Sequence, residues 1–167
     1  AIVYTSNTGT TKEYAKLLSD KLSLPYYSLD EIKNKVKPGG KIIYLGWIMA
    51  SGVKGYKKVV KDYDVRAVCA VGMGATGTQV KEVRTKNKIP SAIPVFTLQG
   101  GFDVKKLHGI YKIMMTIMVK TAGKGLANKQ DRTQEEDQML EMMLHGGKYV
   151  DEKNLKAILD WYGKRGE

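Results

Sequence analysis

The sequence predicts an open α/β domain, five strands in a doubly wound parallel sheet with a helical insertion after the last strand. Three observations predict it. Short apolar runs alternate with amphipathic helical patterns from the first residue to Leu98, as strands covered on both faces by helices require. A hydroxyl-rich segment, Thr5 to Thr11, joins the first run to the first helical pattern. Between Gly100 and Asp151 the alternation stops, and one more helical pattern, Asn154–Tyr162, closes the chain.

Each element follows from local pattern. Ala1–Thr5 is an apolar strand. Thr11–Leu22 carries Tyr14, Ala15, Leu17, Leu18 and Leu22 on one helical face. Leu24–Leu29 has strand composition, and Asp30 is placed to cap a short helix over Glu31–Val36. Pro38-Gly39-Gly40 is a turn. Ile42–Gly46 is a buried strand followed by a loop around Trp47–Gly52. Tyr56–Tyr63 is a helix, Arg66–Gly72 a strand, Gln79–Asn87 a helix and Pro94–Leu98 the last strand. Inside the insertion, Val104–Val119 holds a helical apolar stripe (Leu107, Ile110, Met114, Ile117, Met118). A second helix begins at Thr133, where Thr133-x-x-Glu136 fits a capping box, and ends near His145-Gly146-Gly147. All 167 residues are expected to form one domain, with the insertion at about 100–151.

Composition narrows the function classes. Apolar residues make up 43% of the chain, enough for a core. The longest near-continuous apolar stretch, Ile42–Val53, falls short of the roughly 18 to 20 residues that span a bilayer. A lone cysteine, Cys69, excludes an internal disulfide and a multi-cysteine metal cluster; its mid-strand place predicts an inert buried residue. His108 and His145 stand apart from metal-ligand spacings, so no metal site is expected, and no side chain is named as a catalytic acid or base. No charged leader precedes an apolar segment at the start, which makes the cytoplasm the expected location. Lys plus Arg is 28 against 17 Asp plus Glu, a net charge of +11. That excess suits an anionic partner, such as an acidic redox protein or an anionic membrane surface, to which the protein would attach peripherally. Aromatic-plus-basic RNA-binding signatures and zinc-finger spacings are absent, so nucleic acid is not an expected partner.

The most specific motif is Thr5-Ser6-Asn7-Thr8-Gly9-Thr10-Thr11, at the first strand-to-helix junction. A phosphate bound there would meet the hydroxyls of Ser6, Thr8, Thr10 and Thr11 together with backbone N–H groups at a helix N-terminus. Gly9 lets the backbone approach and take a positive φ. The loop lacks the Gly-Lys-Ser/Thr ending that grips nucleoside triphosphates, so a terminal monophosphate fits better. Gly72-x-Gly74-x-x-Gly77 also matches the dinucleotide fingerprint, but it does not sit in a first βαβ unit, and no acidic residue lies about 20 positions on.

Ser6-x-Thr8-Gly9-x-Thr11 after an apolar N-terminal strand resembles the phosphate loop of flavodoxins. The resemblance implies a flavodoxin-like fold, flavin mononucleotide (FMN) as cofactor and two further loops holding the isoalloxazine ring. By position these loops are Trp47-Ile48-Met49-Ala50-Ser51-Gly52 and Gly72-Met73-Gly74-Ala75-Thr76-Gly77, with Trp47, Ile48, Met49, Ala50, Met73, Gly74, Ala75, Thr76 and Gly77 as the candidate cofactor contacts. Trp47 either stacks on the ring or packs on the neighbouring helix, and Met49 is the next apolar candidate. The insertion, opening at Gly100-Gly101-Phe102-Asp103, and Trp161 in the closing helix make the chain similar to flavodoxin-like quinone-dependent protoporphyrinogen oxidases. Where those oxidases carry an Ile-Arg-Tyr-like segment, this chain has Ile48-Met49-Ala50, and its insertion tail, Leu126–Lys148, is longer. The expected roles are FMN-dependent oxidoreductase with a quinone acceptor, or electron carrier between proteins; a flavin-free binding module is the third alternative. The Met-rich insertion helices either pack on each other, or across a homodimer interface, or lie on an anionic lipid surface.

Overall fold

The computed structural model describes residues 1–102 and 109–165. Five strands, β1 (Ile2–Thr5), β2 (Tyr26–Ser28), β3 (Lys41–Met49), β5 (Asp64–Gly72) and β6 (Val95–Gln99), pair in parallel in the order β2-β1-β3-β5-β6. The short strand β4 (Gly52–Val53) folds back antiparallel on the end of β3. Helices α1 (Thr10–Leu22) and α6 (Lys156–Lys164) cover one face, and α2 (Tyr56–Asp62) and α3 (Val80–Asn87) the other. The fold class read from the sequence is therefore the one observed.

Strand alternation divides the core. Ile2, Ile43, Leu45, Cys69 and Leu98 meet Tyr14 and Leu18 of α1 and Ile158 of α6. Val3, Tyr44, Val68, Ala70 and Val95 meet Val59 of α2 and Val83 of α3. Each fully buried Leu or Ile contributes about 1.5 to 3 kcal/mol from removal of apolar surface from water. Ile42 pairs with Val65 but Ile43 pairs with Ala67, so Arg66 is an extra residue in β5. This bulge keeps Val65 and Ala67 each facing the correct core. Burial pushes the Cys69 thiol well above its ordinary value, which keeps it protonated and inert.

Several local expectations are corrected. Asp30 caps nothing: only a 3-10 turn, Ile32–Asn34, forms there, and it is Glu31 whose carboxylate accepts the N–H and hydroxyl of Ser28. Trp47–Met49 is strand rather than loop; the loop shrinks to Ala50 and Ser51, which join β3 to β4. The insertion is not wholly helical. Strands β7 (Gly101–Phe102) and β8 (Gly147–Lys148) pair antiparallel and fasten its two ends together. Between them lie α4 (Gly109–Asn128), which runs well past Val119, and α5 (Gln134–His145). The expected helix start at Val104, with Asp103, Lys105, Lys106 and His108, lies outside the described residues, as do the side chains of Met114, Met115 and Met118.

The capping box is formed as expected: Glu136 N–H donates to Thr133 Oγ1 at 3.2 Å, and Thr133 N–H to Glu136 Oε2 at 3.0 Å. Helices α4 and α5 pack on each other, with Met143 buried, while Ile113 and Ile117 are exposed on α4. Trp161 lies 6.1 Å from the Phe96 ring, on the α1/α6 side of the sheet.

Candidate functional site

Strand order reverses between β1 and β3, and open α/β sheets bind ligands in the crevice that this reversal leaves at the carboxyl ends of the strands. The loop from β1 to α1 enters this crevice. Ser6 Oγ accepts the Gly9 N–H at 3.1 Å, so Ser6 shapes the loop from within. Gly9, with φ of 99°, caps α1 without a side-chain bond, and the space beside its α-carbon is open. The free N–H groups of the first turn therefore face outward with the positive end of the helix dipole behind them. Thr11 is 1% exposed, and its hydroxyl has no hydrogen-bond partner. A buried hydroxyl without a partner costs about 1 to 3 kcal/mol, so a missing acceptor is the economical explanation.

The second wall is the β3–β4 hairpin. Gly46 makes it possible: a Cβ there would lie 2.5 Å from Val53 Cγ1 and 2.6 Å from the Lys54 carbonyl oxygen. Ala50 and Ser51 both take positive φ, 47° and 62°, the two-residue hairpin turn that Asn-Gly ordinarily supplies. Lys54 Nζ sits 5.6 Å from the Trp47 ring centroid, and Lys54 N–H donates to the Trp47 carbonyl at 3.0 Å. Beneath the hairpin Tyr44 donates its hydroxyl to the Lys54 carbonyl and shares a 2.7 Å hydrogen bond with Thr5. Burial raises the Tyr44 hydroxyl well above its ordinary value, so it stays protonated as a donor.

The loop after β5 forms the third wall, and β6 supports it. Gln99 N–H donates to Thr76 Oγ1 at 2.9 Å, Gly77 N–H to the Thr97 carbonyl at 3.1 Å, and Thr97 Oγ1 to the Thr78 carbonyl at 2.6 Å. Thr76 and Gly77 thus hold the loop to the sheet.

Between the three walls lies a cavity of about 280 Å³. Of the residues predicted from sequence, Asn7, Thr8, Thr10, Trp47, Ile48, Met49, Ala50, Met73 and Gly74 line it. Ser6, Gly9, Thr11, Thr76 and Gly77 stand behind the lining in the same loops, and Ala75 faces an adjoining groove. Sequence reasoning missed Val71, Gln79, Gly101 and Met139, and it placed Ser51 and Gly72 in the ring-holding loops without naming them as contacts. Ser51 and Gly72 adjoin predicted positions, but Gly101 and Met139 come from the insertion and carry no motif. The lining has no charged side chain among the described residues. It offers an apolar slot flanked by hydroxyls and amides, suited to a flat ring carrying a phosphate tail held at a helix N-terminus.

These features define a flavodoxin-like α/β domain. The Flavodoxin domain family matches residues 1–128, and the chain belongs to that family. Flavodoxin domains typically bind FMN, and flavodoxin itself, with this strand order, is a standing example of the switch-point rule. Searches of curated proteins and of solved structures found no match. The family match ends with α4, so Met139 and the closing helix lie beyond it. Among the described residues no helix is long and apolar enough to cross a membrane.

Proposed function

We propose that this chain is an FMN-dependent electron-transfer protein of the oxidoreductase kind. The observation that carries the reading is the unpaired, buried hydroxyl of Thr11 at the uncapped head of α1, beside open space at Gly9. A monoester phosphate there supplies the acceptor that Thr11 lacks, with Thr8, Thr10 and the first-turn N–H groups as further donors. The ring fits between the Trp47–Ser51 hairpin and Met73-Gly74. When bound, the flavin supplies the one- and two-electron chemistry, and the protein supplies orientation and electrostatics.

The insertion favours an enzyme over a carrier. Gly101 and Met139 complete the cavity wall, and a groove of about 260 Å³ adjoins it. Thr78, Gln79, Gln99, Thr133 and Gln138 line that groove with uncharged polar groups, and Glu136 adds a carboxylate that Lys129 pairs. A small molecule such as a quinone can approach the ring there, in keeping with a protoporphyrinogen-oxidase-like role. The net charge of +11 supports the second reading, a carrier that docks acidic partners. Purified protein loaded with FMN separates the two: quinone-dependent turnover of protoporphyrinogen supports the enzyme, and rapid reduction by an acidic reductase without such turnover supports the carrier.

A further inference from the structure

Asn87, the last residue of α3, is 8% exposed and its carboxamide is fully engaged. Its Oδ1 accepts the Val53 N–H at 2.9 Å; its Nδ2 donates to the Ser51 carbonyl at 2.8 Å and to the Val83 carbonyl at 2.7 Å. One end of this bridge is anchored in a helix whose Val83 is fully buried. At the other end is the turn Ala50–Ser51, which lines the cavity with two non-glycine residues at positive φ. Such residues cost about 1 kcal/mol or more each and persist only where their surroundings hold them. The two Asn87 bonds add to the β3–β4 pairing that closes the hairpin and tie its turn to α3. They also turn the Ser51 carbonyl towards α3, where Asn87 occupies it as an acceptor.

We infer that Asn87 is a positioning residue for the cofactor: it ties the Ala50–Ser51 turn to α3 and so fixes the cavity wall that this turn forms. The inference rests on the cavity being the FMN site.

The test compares the native chain with Asn87→Ser, whose hydroxyl can bond back to Val83 but cannot span to Ser51 and Val53. FMN affinity is measured by fluorescence titration, midpoint potential by anaerobic redox titration, and apoprotein stability by thermal unfolding. Release of the turn is expected to raise the dissociation constant for oxidised FMN about tenfold, the equivalent of about 1.4 kcal/mol, and to shift the midpoint potential of the bound flavin. Adding Ala50→Gly and Ser51→Gly, which favour this turn without restraint, should restore most of the affinity. If Asn87→Ser does not fold, Asn87→Gln, which keeps the carboxamide but displaces it by one methylene, takes its place. A folded variant with lowered melting temperature but native affinity and potential leaves Asn87 a purely structural residue and overturns the inference. Failure of the native chain to bind FMN overturns the reading of the cavity itself.

Discussion

Replacing Thr11 by valine separates two effects that normally go together. The two side chains have nearly the same shape, so the change removes a hydroxyl and leaves the packing around α1 intact. In the unliganded protein that hydroxyl is buried and unpaired; its removal lifts a burden of about 1 to 3 kcal/mol. Each kcal/mol shifts the melting temperature of a chain this size by about 2 to 4 °C, so the apoprotein should melt higher. On the proposed function, the same hydroxyl donates to the charged phosphate of bound FMN, a bond worth about 1.5 to 3 kcal/mol. Its loss should raise the FMN dissociation constant by roughly 10- to 100-fold. The assay is thermal unfolding of the apoprotein beside a fluorescence titration with FMN. A variant that melts lower than the native apoprotein and binds FMN as tightly would falsify the assignment of Thr11 to the phosphate.

Other perturbations probe the supports of the site. Gly46→Ala drives a Cβ into Val53 and the Lys54 carbonyl; overpacking costs about 1 to 3 kcal/mol. FMN affinity should fall with stability, because the hairpin wall must move; unchanged affinity argues against that wall. Tyr14→Phe removes a hydroxyl that donates to the Gln99 carbonyl at 2.5 Å and accepts from Asn154 Nδ2 at 2.7 Å. Denaturant unfolding should show a loss of about 1 to 3 kcal/mol, since two partly buried partners lose their bond. Lys129 and the Thr133 N–H hold the Glu136 carboxyl below its ordinary value. The stabilisation of the α5 cap is thus complete above the unfolded-state value and disappears as pH falls through the lower, folded one. NMR titration should find Glu136 ionising below ordinary glutamates, with the Thr133 amide shift following it; an ordinary midpoint contradicts the cap.

What was legible in the sequence was what depends on near neighbours. The strand-to-helix loop at the head of α1 could be placed because its hydroxyls, its glycine and its helix start lie within seven successive positions, Thr5 to Thr11. Thr133 and Glu136 form a box for the same reason. The hairpin was invisible: Ala50 and Ser51 lack the asparagine and glycine that announce a turn with two positive φ values. Asn87, far along the chain, bonds to the Ser51 carbonyl and the Val53 N–H on that hairpin. Strands β7 and β8 are two residues each, too short for periodicity to register. Met139 enters the cavity only because that ribbon fastens the insertion and brings α5 back across the sheet end. Periodicity placed Met139 on a helix face but could not say what that face would meet.

The most direct measurement is an anaerobic titration of the purified apoprotein with FMN, following flavin fluorescence and absorbance, then reduction of the complex. Saturable quenching at one flavin per chain is expected, with a bound flavin whose potential differs from that of free FMN. Flavin that keeps its free spectrum and full fluorescence at every protein concentration would contradict this expectation.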